Sequence, residues 1–361
     1  MKILFTIIFG QFLAMISVGI GKTSTIIEDN FSFDFPILLN LSYYFLFGLF
    51  WLCVNRGLKK PKVFFFLIIL FDTQANICKI QAFSKGELNY PIIINGSAVL
   101  FSLLFTYMLI SKYTYRCYHI LAAFITFSGV ALTLYGALNQ TNTDIIEEIK
   151  KNKVDLIFAL LSSILFSIST VKIDDCFDKG SDIYDFFPWL GLCGAFLIFI
   201  ESFAFQEPQK FYNKIHQFDI NVKFVLLVFG FLVLFFIFGY ATPFYIRRAT
   251  NSMFNVSLVS QILWMYVVDC ILGKAIAFKN EFYYIGCAVI LGGIVLFGCF
   301  DVVKVKKEEI KEDVKKIKGG ILPEEGDDES ETGSYLGERE FGKSVERKHG
   351  IYKSRQGYDV I

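Results

Sequence analysis

The 361-residue chain is short of histidine, of tryptophan and, over most of its length, of charge. Its three histidines, His119, His216 and His349, are too scattered to form a metal cluster. None of its eight cysteines makes a C-x-x-C pair, so neither a zinc site nor a redox motif is signalled. Most of them fall in apolar runs, where cysteine behaves as a small hydrophobe. H-E-x-x-H, G-x-S-x-G and P-loop patterns are missing. No enzyme and no cofactor is therefore expected. The net charge of +1, with no basic stripe, also argues against a nucleic-acid partner.

Charge is unevenly spread. Residues 301–361 hold 13 Lys/Arg and 15 Asp/Glu, whereas residues 1–300 hold only 22 and 19. What fills the first 300 positions is apolar. The whole chain is 54% hydrophobic, with 42 Phe against 3 Trp. Such a stretch leaves nothing to face water, which excludes a soluble fold.

A helix needs about 20 apolar residues to cross a bilayer. Ten windows fit: 3–22, 36–54, 63–84, 88–110, 117–138, 154–172, 184–205, 222–246, 251–273 and 282–300. They are continuous runs without the alternation of a membrane β-barrel, and backbone groups in lipid must bond internally. The spacing thus predicts an all-α membrane protein with ten transmembrane helices. The first window resembles a signal peptide, but it is too long for an h-region and lacks a clear cleavage site. It reads as the first span.

Lys/Arg-rich connections place both termini in the cytosol. They include Arg56, Lys59, Lys60 and Lys62, then Lys112 and Arg116, Arg247 and Arg248, and Lys304, Lys306 and Lys307. Lys150, Lys151 and Lys153 weaken the bias. Sequons at Asn30 and Asn139 fall on the opposite side in this topology.

The fifth and tenth windows share a Gly-x-x-Leu pattern, Gly129 to Leu132 and Gly293 to Leu296. Two readings stand: close helix packing through small residues, or a duplicated five-helix unit. A unit with an odd helix count must repeat upside down, a transporter architecture. The second reading divides the chain into two inverted five-helix repeats, residues 1–138 and 154–300. A loop at 139–153 joins them, and a charged cytosolic tail at 301–361 follows.

Ionisable groups at membrane depth are functional candidates by default. Asp72, Asn76 and Lys79 follow i, i+4, i+7 spacing and share one face of the third helix. Gln74 and Gln81 accompany them. Asn95 with Gly96 and Ser97 interrupts the fourth window, where Pro91 offers a kink. Asn251, Asn255, Ser257, Ser260 and Gln261 mark the ninth window. Asp72, Asn76, Lys79, Gln74, Asn95, Asn255 and Gln261 are the candidate solute contacts. Asp269 reads as solvated near a helix end, and Asp174, Asp175, Asp178, Asp182 and Asp185 as a solvated loop.

In the tail, residues 302–318 alternate Val/Ile with Lys/Glu, which suits an amphipathic helix on anionic lipid. Glu324 to Glu331 is acidic and suits disorder. Tyr358–Ile361 resembles a tyrosine-based sorting signal.

Residues 1–300 resemble the F subfamily of solute carrier family 35, in the drug/metabolite transporter superfamily. The markers are Asp72-Thr73-Gln74-Ala75-Asn76, Ser111-Lys112-Tyr113 with His119-Ile120, and Asn255-Val256-Ser257-Leu258. The resemblance implies ten helices in two inverted repeats, cytosolic termini, and solutes of the nucleotide-sugar, nucleoside or nucleobase type. Gln74 stands where the family pattern has Glu, and Gln81 where it has Lys. Lys79 points about 200° away from Gln81 on the helical wheel.

The expected function is alternating-access transport of a small polar solute in a Golgi, endosomal or plasma membrane. Its expected partners are that solute and membrane lipids. The alternative is a receptor or scaffold that recruits cytosolic partners through the tail.

Overall fold

The structure is a computed structural model. It describes residues 2–299, apart from 32–34, 56, 85–88, 111–112, 115–116, 140–144, 215–220 and 272–279, together with 303–304. Residues 1–305 form one compact unit. The expectations for the tail beyond Lys304, for the two sequons (which need Ser32, Gln140 and Thr141) and for the break at Lys85–Glu87 lie outside the described residues.

Thirteen helices follow in chain order among the described residues. They are α1 (Lys2–Phe31), α2 (Pro36–Val54), α3 (Val63–Ser84), α4 (Asn89–Asn95), α5 (Ala98–Leu109), α6 (Cys117–Leu138) and α7 (Ile145–Asp178). Then come α8 (Ile183–Ala204), α9 (Glu207–Lys214), α10 (Val222–Arg248), α11 (Asn251–Leu258), α12 (Gln261–Ile271) and α13 (Glu281–Gly298). Two strand fragments, β1 (Tyr113–Thr114) and β2 (Val303–Lys304), pair antiparallel.

Ten segments are long and apolar enough to cross a membrane. Eight are single helices; α4 with α5, and α11 with α12, make the other two. The chain is thus an all-helical, ten-span membrane protein. Large apolar side chains such as Leu4, Phe64, Phe196 and Phe229 are exposed on its outside, where lipid would meet them. The two ends of the bundle are named below by the ends of α1, Lys2 and Phe31.

The spans pair closely: α6 with α13, α2 with α8, α3 with α7, and α1 with α10. Glycine sets two of these approaches. A Cβ on Gly48 of α2 would meet the backbone nitrogen of Leu192 in α8 at 2.7 Å. A Cβ on Gly286 of α13 would lie 2.7 Å from the Gly129 carbonyl oxygen of α6. The shared glycine pattern of the fifth and tenth spans therefore has a packing role, because the two helices that carry it lie against each other.

The structure corrects three sequence expectations. First, spans four and nine are not continuous. Span four breaks at Gly96–Ser97, while Pro91 sits in the first turn of α4 and breaks nothing. Span nine breaks at Val259–Ser260. Second, α7 runs on to Asp178, so Asp174, Asp175 and Asp178 are helical, and Asp174 is 1% exposed. Third, the segment expected to be a loop at 139–153 is helical from Ile145.

Each break keeps its backbone bonded by tightening. Gly96 and Ser97 donate to Ile93 and Ile94, three residues back. Val259 and Ser260 donate to Val256 and Ser257 in the same way. Serines of α7 add side-chain contacts to two carbonyls beside the first break. Ser163 Oγ lies 3.5 Å from the Ile94 oxygen, and Ser167 Oγ donates to Ala98 at 3.1 Å.

Gly286→Leu is expected to force α13 off α6 and lower thermal stability in detergent by about 1–3 kcal/mol, the usual cost of overpacking. Gly292→Leu on the same helix is expected to be nearly neutral, since nothing lies within 4 Å of its Cβ position. A thermal unfolding scan of both variants checks the contrast.

Candidate functional site

Lys79 of α3 reaches into a cavity in the middle of the bundle. The wall is completed by Asn95 and Ala98 at the α4–α5 break, Ser162, Ser163 and Phe166 of α7, and Leu258 and Gln261 at the α11–α12 break. Three of the predicted contacts, Lys79, Asn95 and Gln261, thus come together at the two interrupted helices. The ammonium of Lys79 donates to Ser17 Oγ of α1 at 2.7 Å. It also lies 5.7 Å from the Phe83 ring centroid and 5.4 Å from that of Phe238. Hydroxyl and aromatic faces thus hold this cation, a cation–π arrangement. The Asn95 side-chain oxygen accepts from Ser163 Oγ at 3.1 Å. The cavity holds about 30 Å³. A water site needs about 10–15 Å³, so this conformation has room for water and not for a solute.

Asp72 and Asn76 lie on the same α3 face but form a separate cluster. Tyr44 of α2 donates to Asp72 Oδ2 at 2.6 Å. Asn76 Nδ2 donates to Tyr44 Oη at 2.7 Å and lies 3.3 Å from Asp72 Oδ2. Gln74 points elsewhere and donates to the carboxylate of Glu201 in α8. Gln81 is buried.

Asn255 belongs to a third group. Its Nδ2 donates to the Asn251 backbone oxygen at 3.0 Å and to Asn251 Oδ1 at 2.9 Å, and lies 3.3 Å from Thr170 Oγ1. Asn251 Nδ2 donates to Ser102 at 2.9 Å and lies 3.2 Å from Thr106. The Asn251 backbone N–H donates to Asp174 Oδ2 at 3.1 Å. This carboxylate faces the start of α11, where exposed N–H groups and the helix dipole favour negative charge. The network ties α5, α7 and α11 together at the Lys2 end.

The Phe31 end holds an ion pair. Lys22 of α1 lies 2.6 Å from Asp269 of α12, and both side chains are largely buried. Asp269 is therefore paired, a correction to its reading as a solvated group. At the Lys2 end and outside the spans, Lys59 pairs with Asp185 at 2.8 Å. The hydrogen bond to that carboxylate, and its charge, hold the Lys59 ammonium above the ordinary lysine range. This pair is exposed and contributes little to stability.

Sequence reasoning missed Ser17, Tyr44, Glu201 and Lys22. Glu201 and Lys22 carried a usable signal, as ionisable residues within apolar spans. Ser17 and Tyr44 carried none, since hydroxyls are common there. Among the described residues, no group of His, Cys, Asp or Glu is arranged to hold a metal ion.

Comparison with known proteins gives three results. No curated protein matches the chain. A solved crystal structure, described only as that of a protein, superposes with a TM-score of 0.58 at 14% identity, over 80% of this chain and 95% of that one. That likeness concerns the fold alone. The family model of solute carrier family 35, in its F form, matches residues 1–299, the whole ten-helix region. The chain therefore belongs to solute carrier family 35, a family of multi-pass membrane transporters.

Proposed function

We propose that this protein carries a small polar solute across the membrane by alternating access, and that the solute binds at Lys79, Asn95 and Gln261. The observation that carries this reading is the position of the cavity, between two interrupted helices. Broken helices in corresponding places of two halves point to a transporter's solute site. Spans four and nine occupy such places if the chain consists of two five-helix units, 1–138 and 154–300.

The packing supports that division. If each span is exchanged with the one five places on, the pair α3–α7 becomes α10–α1, while α2–α8 and α6–α13 map onto themselves. Spans four and six likewise map onto nine and one, which also pack together. Such a pattern suits an inverted repeat.

The chemistry suits a solute of the nucleoside, nucleobase or nucleotide-sugar type. Asn95 and Gln261 offer paired donors and acceptors for a heterocycle edge. Phe166 offers a ring face, and Lys79 a charge-assisted donor. Asp72, Asn76, Gln74 and Asn255 shape the surrounding helices. The cavity is too small for such a solute, so one end must open for entry. The Lys22–Asp269 pair closes the Phe31 end, and the network of Asn251, Asp174 and Asn255 closes the Lys2 end. Exposed Arg247 and Arg248, with Lys59, Lys60 and Lys62, lie at the Lys2 end and favour placing it in the cytosol. A Golgi, endosomal or plasma membrane fits this orientation.

Two measurements test this reading. A panel of nucleobases, nucleosides and nucleotide sugars should contain a solute that raises the melting temperature of the purified protein. Lys79→Met and Gln261→Ala are each expected to weaken that binding about tenfold or more, or about 1.4 kcal/mol. Binding unchanged in both variants would place the site elsewhere. For the closures, Asn95→Cys in a background without exposed cysteines should label slowly with a membrane-impermeant thiol reagent. Adding Lys22→Ala should speed labelling from the Phe31 side about tenfold, the usual scale of a lost charge pair. An unchanged rate counts against the pair as a closure.

A further inference from the structure

Asp72 is half-buried and differs from the buried acids Asp269, Asp174 and Glu207. Asp269 has Lys22, Asp174 faces a helix N-terminus, and Glu207 accepts from the backbone N–H groups of Ile37 and Leu38 at the start of α2. Asp72 lies midway along α3, where a charge is most costly, and makes no ion pair. Its two hydrogen bonds are both neutral, and both arrive at one oxygen, Oδ2. Its Oδ1 accepts none among the described residues. An ionised carboxylate can accept at both oxygens; here both bonds to neutral donors of α2 and α3 fall on one.

The other neighbour of the carboxyl comes from α7. Ser169 of α7 faces the Asp72 carboxyl. Its side chain is 0% exposed, and its Oγ has no hydrogen-bond partner. The Ser169 hydroxyl can donate to an ionised Oδ1 or accept from a protonated one, so this contact serves the carboxyl in both states. On the far side the donors run in a chain, from Asn76 amide to Tyr44 hydroxyl to Oδ2.

The groups around Asp72 leave it alone in this role. From α2 come the hydroxyls of Tyr43 and Tyr44. On α8, Glu201 is bonded to Gln74, one helical face away. Along α3, Lys79 turns to Ser17 and the two rings, and α1 contributes Lys22, which is held by Asp269. Among the described residues, α7 faces it with the neutral hydroxyl of Ser169.

We propose that Asp72 is a proton-binding site, occupied by a proton on Oδ1 when the cavity is closed and emptied when opening admits water, so that the proton is the coupling ion. The proton enters from water on one side and leaves to water on the other; no covalent bond other than O–H changes. The coupling half of the proposal rests on the transport reading above, while the proton site does not.

The test uses the full chain in lipid nanodiscs and the proton itself as probe. Infrared difference spectra are recorded between about pH 5 and about pH 9. The expected result is a protonated-carboxyl band that disappears as pH rises, is absent in Asp72→Asn, and survives in Glu201→Gln and Asp174→Asn. Tyr44→Phe keeps the carboxyl but removes a donor to its charged form. It should move the midpoint upward by about one unit, a shift that a merely structural role would not give. It also serves if Asp72→Asn fails to fold. A band insensitive to Asp72, or an Asp72 band that never titrates, overturns the proton site. For the coupling, any panel solute that stabilises the protein should enter wild-type liposomes faster under an inward proton gradient, and Asp72→Asn should remove that acceleration. Gradient-insensitive uptake by the wild type overturns the coupling, while uptake itself, or its failure, reports separately on transport.

Discussion

In hydrocarbon, a polar group has only the protein to bond to, and this constraint organises the whole bundle. It explains why the continuous spans are helices and why many buried polar side chains occur as linked groups. It also explains why the two interruptions are tolerable. At Gly96–Ser97 and Val259–Ser260 the chain tightens into short-range bonds, and α7 adds serine hydroxyls to two carbonyls beside the first break. Irregular backbone at membrane depth survives only where it is buried in protein or lines a cavity. Here it does both.

Function follows from the same constraint. A lysine between two aromatic rings, two amides at the helix breaks and serine hydroxyls opposite make a polar pocket inside an apolar body. Below and above it, polar groups hold the ends together by different means: an ion pair at the Phe31 end and a hydrogen-bonded network at the Lys2 end. In the proposed transport cycle these two polar contacts are the closures that open in turn. The rigid contacts are elsewhere, at the glycine-mediated crossings of α6 with α13 and α2 with α8.

Much of this was legible in the sequence, and the rest was not for physical reasons. The ten spans follow from length and apolarity alone. Lys79, Asn95 and Gln261 stood out because polar groups in lipid are expensive, and the fold brings those three together. Asp72 and Asn76 were rightly placed on one helix face, but their partner Tyr44 depends on how α2 is rotated against α3, which no local pattern encodes. Asp269 looked solvated because Lys22, its partner, lies in the first helix. The break at Gly96–Ser97 had a small-residue signature. The break at Val259–Ser260 had neither glycine nor proline, and only tertiary packing reveals it. Asp174 was read as a loop residue because the apolar window ended before the helix did.

The central claim is that one buried pocket is reached from the two ends in turn. Electron–electron distance measurements on spin-labelled protein in lipid test it most directly. One label pair would span α1 and α12 at the Phe31 end, and another α5 and α11 at the Lys2 end. The account predicts that conditions which lengthen one distance shorten the other. Distances that stay fixed at both ends, or lengthen at both together, would contradict it.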